Sequence, residues 1–314
     1  MALKNFKGYL LAAVAAAAYG TNPAFAIPLY EQGMNPNSVL LFRYLLGLPI
    51  IACIMKARNV SFSLDRDEVK HVIILGILMA VSSLTLFESY KFMNSGVAST
   101  LLFVYPIMVA VLMIFLFHEK FKISVGLCLA IMSAGLFMLM KPQGDTAVSL
   151  TGILLVMVSA GTYAVYIILV NVSETVRKIP TTKLLFYVLL SGTLFYVCLI
   201  PAGFDLTLPG KPGGWCSLIA LAIIPTVMSL ACTTRAIQLI GSTPTAIFGA
   251  LEPVSAVILS VTVLDQAITS SDIIGGVLII IATTIVVADN SVDKIILHVR
   301  KMFPRNNRTK SAKN

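Results

Sequence analysis

The sequence predicts an all-α membrane protein of ten transmembrane helices, arranged as two five-helix repeats of opposite orientation. Three observations predict it. The first is composition: of 314 residues only 12% are charged and 58% are apolar, and the mean hydropathy is +0.92, whereas a soluble domain carries roughly 25% charged residues. The second is that the apolar residues fall in ten blocks, each near the ~20 residues that cross a ~30 Å hydrocarbon core as helix. The third is a similarity between the two halves of the chain. This composition excludes an ordinary cytosolic enzyme and leaves no length for a soluble domain.

Span one, 8–30, is alanine-rich as far as Tyr19 and is then interrupted by Gly20-Thr21-Asn22-Pro23. Polar groups at such a break need a protein-lined cavity, because lipid would leave them unpaired. The basic start, the apolar run and Ala24-Phe25-Ala26 imitate a cleavable signal peptide. The apolar run nevertheless continues to Tyr30, so this helix is expected to be retained. Span two, 37–55, holds Arg43, and span three, 70–93, holds Glu88 and Lys91. Span four, 95–117, has Tyr105 before Pro106; span five covers 122–140; span six, 149–172, carries Tyr163 and Tyr166. Spans seven and eight cover 182–202 and 215–239, the latter with Arg235. Span nine, 241–264, places Glu252 directly before Pro253, and span ten covers 269–288. The connections are short and turn-forming, as in Asn35-Pro36-Asn37 and Pro209-Gly210-Lys211-Pro212.

Lys and Arg fix the orientation, since cytoplasmic loops retain positive charge. With a cytoplasmic N-terminus, Lys4, Lys7, Lys56, Arg58, Arg66, Lys70, Lys120, Lys122, Arg177, Lys178, Lys183 and the tail from Lys294 to Lys313 lie inside. Only Lys91, Lys141 and Lys211 lie outside. Both termini are therefore expected to be cytoplasmic, in a multi-pass protein of the inner (cell) membrane. The net charge of +9 is a topology signal, and the basic tail, 291–314, reads as an anchor to anionic lipid rather than a nucleic-acid arm. Cys53, Cys128, Cys198, Cys216 and Cys232 are scattered, with no C-x-x-C pair, and read as small buried apolar residues.

The repeat rests on two alignments. Gly8 to Tyr19 matches Gly152 to Tyr163 at Gly, two Leu, Val, Ala and the final Tyr. Ser95-Gly96-Val97-Ala98-Ser99-Thr100 and Pro106 match Ser242-Thr243-Pro244-Thr245-Ala246-Ile247 and Pro253 at one constant offset. The units are then 1–143 and 144–290. Because five spans per unit is odd, the second enters the membrane from the opposite side, which is the architecture of a carrier whose halves rock about a midplane site.

Charge is costly inside a bilayer, so Arg43, Glu88, Arg235 and Glu252 are the candidate intramembrane charges. Arg43 and Glu88 share a depth that suits an ion pair, against which stands a local Glu88–Lys91 pair one turn apart. Glu252 is the best single candidate for a proton or cationic-solute contact; Arg235 on the neighbouring span is its structural alternative. Tyr19, Asn22, Tyr105, Tyr163 and Tyr166 offer ring faces and polar atoms to an organic solute, with core packing as the alternative for each tyrosine. Pro23, Pro106 and Pro253 mark helix kinks. The small residues Ser95, Ser99, Gly241, Thr245 and Gly249 recur at four-residue spacing and suit close helix packing.

No phosphate-binding Gly-x-x-x-x-Gly-Lys-Ser/Thr sequence occurs, and His118-Glu119 has Lys122 where a zinc-protease helix needs histidine. No cofactor or metal is expected. The expected partners are a small solute and membrane lipid, with no nucleic acid, and the sequence leaves room for a homo-oligomer.

Several stretches resemble one family. Ser38-Val39-Leu40-Leu41-Phe42-Arg43-Tyr44-Leu45-Leu46, the run from Glu88-Ser89-Tyr90-Lys91 through Tyr105-Pro106 to His118-Glu119-Lys120, and Leu251-Glu252-Pro253-Val254 resemble EamA-type proteins of the drug/metabolite transporter superfamily. The resemblance covers about 1–290 and implies a secondary transporter, not an enzyme. Such a protein would export or exchange a small metabolite, amino-acid-like, nucleoside-like or drug-like, by alternating access. A non-transporting sensor or assembly partner and a membrane-embedded lipid enzyme are the competing functions. The second half departs from the pattern with Asp265-Gln266 where the first has His118-Glu119, so Glu119 reads as a cap or membrane-edge charge.

Overall fold

The computed structural model describes residues 2–89, 91–93, 98, 101–119, 122–139, 149–200, 205–263, 270–271 and 273–286, and no strand occurs among them. Ser95, Ser99, Asp265, Gln266 and the basic tail lie outside the described residues. Among the described residues, seven segments are long and apolar enough to cross a membrane: Asn5–Glu31, Pro36–Ala57, Arg66–Ser89, Leu150–Val172, Thr181–Leu199, Pro212–Ile240 and Ser242–Leu259. Three further apolar helices, Tyr105–Phe117, Ile123–Leu139 and Ile273–Val286, are shorter.

The breaks between helices have visible causes. Span one is two helices, α1 (Ala2–Gly20) and α2 (Asn22–Glu31), separated at Thr21, whose hydroxyl donates to the Ala18 carbonyl at 2.7 Å. Pro23 stands in the first turn of α2, where its missing N–H costs nothing because first-turn N–H groups have no helical acceptor. Helix α3 (Pro36–Ala57) starts on Asn35, whose side chain accepts from the Ser38 amide at 2.8 Å. Helix α4 (Arg66–Ser89) opens with Asp67 and Glu68, the sign favoured at that end of the helix dipole. Helix α5 (Tyr105–Phe117) takes Pro106 in its first turn. Helices α6 (Ile123–Leu139), α7 (Leu150–Val172), the five-residue α8 (Glu174–Lys178) and α9 (Thr181–Leu199) follow.

The segment read as span eight is not one regular helix. Helix α10 (Pro212–Leu221) widens into a π-helical stretch, Ala222–Met228, before α11 (Ser229–Ile240). Pro225 causes it, since proline has no N–H for the carbonyl four residues back. That carbonyl, on Leu221, accepts instead from the Thr226 hydroxyl at 2.8 Å. Span nine divides at Ala250 into α12 (Ser242–Gly249) and α13 (Leu251–Val263). The expected kinks at Pro106 and Pro253 are thus breaks in which each proline sits in the first turn of a new helix. Helix α14 (Ile273–Val286) is the last described element.

Packing is by exchange between the two halves of the chain: α4 lies along α7, α1 along α11, α9 against both α3 and α4, and α1 also against α12 and α13. Large apolar side chains such as Phe115, Phe137 and Leu150 point outward, the pattern of a bundle bathed in lipid. Glycines set the closest crossings. A Cβ on Gly76 would stand 2.4 Å from Ser191 Cβ and 2.8 Å from the Val188 carbonyl oxygen. Gly76→Ala is therefore expected to destabilise the α4–α9 contact by about 1–3 kcal/mol, read as a lower melting temperature in detergent.

Each end of the bundle is strapped. At one end the Asn35 amide donates to Thr207 Oγ1 at 2.9 Å, Asn35 Nδ2 to the Asp205 carbonyl at 2.7 Å, and the Thr207 amide to Ser38 Oγ at 2.8 Å. At the other, Lys183 Nζ pairs with Glu68 Oε2 at 2.7 Å and the Tyr187 hydroxyl donates to the Phe62 carbonyl.

Candidate functional site

Polar groups gather where the broken helices meet. Tyr105, the first residue of α5, is buried and donates its hydroxyl to the Ala246 carbonyl in α12 at 3.2 Å. Its ring meets Tyr163 edge-on at 4.9 Å between centroids, and Tyr163 stacks with Tyr166 at 6.1 Å. Tyr166 and Thr234 of α11 are both buried. Gly249 lies so close to this group that a Cβ there would fall 1.7 Å from the Tyr105 hydroxyl. Glu252, in the first turn of α13, has Tyr105 and Tyr163 as electrostatic neighbours. Tyr105 and Glu252, each in the first turn of its helix, thus both lie close to Gly249.

A second group surrounds Arg43. Its side chain is 3% exposed, donates from Nε to Thr226 Oγ1 at 2.9 Å, and lies 6.0 Å over the Tyr19 ring. The Leu221–Thr226 bond orients this acceptor, so the proline-induced π-stretch positions the arginine. Tyr44 and Tyr196 pack edge-on at 5.5 Å beside it, and the Tyr44 and Ser83 hydroxyls share a 3.5 Å hydrogen bond. Asn22, at the first break, buries its Oδ1 without a hydrogen-bond donor. An unpaired buried carbonyl is costly in a resting protein and suits a surface that receives a donor from elsewhere.

The charges sort differently from their expected pairings. Glu88 forms the local pair with Lys91, 2.6 Å apart, rather than reaching Arg43. The local pair wins because Lys91, in the turn just after α4, lies three residues from Glu88 and needs no cross-helix approach. Arg235 is exposed and donates from Nη1 to Gln238 Oε1 at 3.0 Å; it stands one turn from the end of α11 and is no ion-pair partner of Glu252. The sequence reading passed over Thr226, Tyr44 and Tyr196. Pro225 inside an apolar run was the available signal for the first.

A cavity of about 180 Å³ opens at the Glu68–Lys183 end, lined among others by Glu119, Lys122, Asn171, Ser242 and Thr243. Thr243 donates to Glu119 Oε2 at 3.5 Å, and Asn171 Nδ2 to Ser242 Oγ at 3.1 Å, across its wall.

Comparison with known proteins decides the family. The family model described as EamA-like transporter matches twice, at residues 6–141 and 150–288. The chain belongs to the EamA-like transporter family. It is 23% identical over 248 residues to the uncharacterized transporter YdfC of Bacillus subtilis (strain 168), covering 78% of this chain and 80% of that protein. A solved crystal structure superimposes with a TM-score of 0.74 over 88% of this chain and 96% of its own, at 18% identity, a likeness of fold. This EamA-like transporter is therefore a multi-pass membrane protein.

Proposed function

We propose that the protein is a secondary transporter of ten spans in two inverted five-helix units, 1–143 and 144–290, which exports or exchanges a small organic solute by alternating access. The observation that carries the reading is a set of contacts that map onto one another when the halves are exchanged. A Cβ on Gly8 would meet Leu239 and Ile240; one on Gly152 would meet Phe92 and Met93. Gly152 lies 144 residues after Gly8, and Leu239 and Ile240 lie 147 after Phe92 and Met93. Ser229 Oγ donates to the Ala15 carbonyl at 2.9 Å, while Ser82 Oγ donates to the Ser159 carbonyl at 3.0 Å. These pairs obey the same offsets of 144 and 147. Gly47 abuts Leu189, and Gly192 abuts Tyr44, both partners 145 residues apart.

Exchange-related contacts support a pseudo-two-fold axis, and an odd number of spans per unit makes that axis lie in the membrane plane. A structure with such an axis has two equivalent tilts of its halves, each opening the central site to one side. Tyr105 and Glu252 are partners at the 147-residue offset, so the two helix breaks flank the axis together. In this reading Glu252 holds a proton or the cationic end of the solute, Tyr105, Tyr163, Tyr166 and Tyr19 present ring faces, and Asn22 offers its buried carbonyl. The cavity beside Glu119 is the vestibule on the cytoplasmic side of a protein in the inner membrane with both termini inside.

The test is flux. Proteoliposomes loaded with labelled amino acids, nucleosides and cationic drugs are expected to release one class faster than protein-free vesicles, and to exchange it against unlabelled solute outside. Release of none above the protein-free rate would overturn the carrier reading in favour of a sensor. The repeat has its own check: Ser82→Ala and Ser229→Ala each remove a buried interhelical bond and are expected to cost about 1 kcal/mol apiece, read as similar falls in melting temperature.

A further inference from the structure

Arg43 is a buried cation whose needs this bundle leaves unmet. Among the described residues no carboxylate stands within ion-pair distance of it. Thr226 takes the Nε proton, and that hydroxyl, tied to Leu221 by its own proton, has nothing more to give. The Tyr19 ring at 6.0 Å adds a cation–π contact. One neutral hydrogen bond and one ring face do not replace the hydration shell that a guanidinium loses on burial. Glu88, the one acid at a similar level in the neighbouring span, is held by Lys91. The bonds that are present fix the fork by its Nε edge and leave the two Nη groups for a planar acceptor.

The surroundings say where such an acceptor would lie. The Tyr19 ring lies 6.0 Å from the guanidinium, and Tyr44, next to Arg43 in the chain, packs edge-on against Tyr196 at 5.5 Å. A molecule with its head on Arg43 therefore lies against the Tyr19 ring. The position is also built rather than accidental, because it depends on the π-stretch that Pro225 imposes in the middle of a span. Interrupted helices of this kind are the usual place for ion and solute contacts in transporters.

We propose that Arg43, positioned by Thr226, is an anion-binding residue of the central site, and that the transported solute carries a carboxylate or equally compact anionic head which the guanidinium receives. The proposal rests on the transport reading and narrows it to one class of solute. Bound in this way the solute supplies the countercharge that the resting protein lacks, so the loaded site crosses the bilayer without a net unpaired cation. An uncharged solute would leave Arg43 as it stands.

The experiment uses the full chain purified in detergent, with 3-phenylpropionate, its neutral isostere 3-phenylpropionamide, and inorganic phosphate as probes. Binding is read by calorimetry and melting temperature. The wild type is expected to bind the carboxylate saturably and the amide at least tenfold more weakly. Arg43→Gln is expected to melt at or above the wild-type temperature, because it removes an unpaired buried charge, and to bind the two isosteres alike. Should Arg43→Gln fail to fold, Arg43→Lys, which keeps the charge and loses the fork, serves instead, with at least a tenfold loss of carboxylate affinity expected. Phosphate that competes with the carboxylate in the wild type, and not in the variant, supports the same site for phosphate heads. The proposal is overturned if wild type treats carboxylate and amide alike, or if the folded variant keeps the preference. Carboxylate preference without flux in vesicles would count against transport and leave the anion site standing.

Discussion

Gly249→Val is expected to lower the stability of the bundle by about 3 kcal/mol, because its branched side chain enters space already filled by the Tyr105 hydroxyl, 1.7 Å from the position of the first added carbon. Tyr105 has nowhere to retreat, since it is buried, bonded to the Ala246 carbonyl and packed edge-on against Tyr163. The effect is read from thermal unfolding in detergent through the fluorescence of Trp215, the single tryptophan. Tyr105→Phe removes the offending oxygen and leaves the ring carbon 3.0 Å from the added carbon. The double variant should accordingly recover part of the loss, a coupling of at least about 0.5 kcal/mol as expected for residues in contact. Additive effects would mean that α5 and α12 are not apposed through this pair.

The second large effect falls on activity. Glu252→Gln keeps the size of the side chain and removes its charge, at a position where the described residues provide tyrosines and no cation within ion-pair distance. Stability is expected to hold or rise, because a half-buried carboxylate with no cation within ion-pair distance among the described residues adds little to the resting fold. Flux of the transported solute should fall at least about tenfold, equivalent to about 1.4 kcal/mol, if Glu252 carries the proton or the cationic end. A variant that loses stability and keeps its flux would assign Glu252 a structural role.

The membrane character and the all-helical fold were legible in the sequence because membrane spans are written in long apolar blocks. The interruptions were less so. Gly20-Thr21-Asn22-Pro23 announced the break in span one, yet Pro106 and Pro253 read as kinks. Their place in the first turns of new helices depends on the turns at Val104 and Ala250 just before them, and tertiary contact decides that. The π-stretch at Pro225 followed from a single proline, but its consequence, a threonine hydroxyl aimed at an arginine in another span, joins positions 183 residues apart that no local pattern relates.

The charged residues illustrate the same limit. Depth in a span suggested the pair Arg43–Glu88, and neighbouring spans the pair Arg235–Glu252, but neither says which face of a helix a side chain occupies. Arg235 lies on the outward face of α11, whereas Thr234 beside it is buried with Tyr166. Rotation by one residue on a helix, about 100°, separates a central contact from a peripheral one.

The central claim, that one site opens in turn to both sides of the membrane, is tested most directly without knowing the solute. Cys53, Cys128, Cys198, Cys216 and Cys232 are replaced by serine, Asn22→Cys is introduced, and a membrane-impermeant thiol reagent is applied separately to right-side-out and inside-out vesicles. Alternating access predicts that the new thiol is labelled in both preparations, each at a rate above that of the cysteine-free background. Labelling from one side only, or from neither, would contradict it.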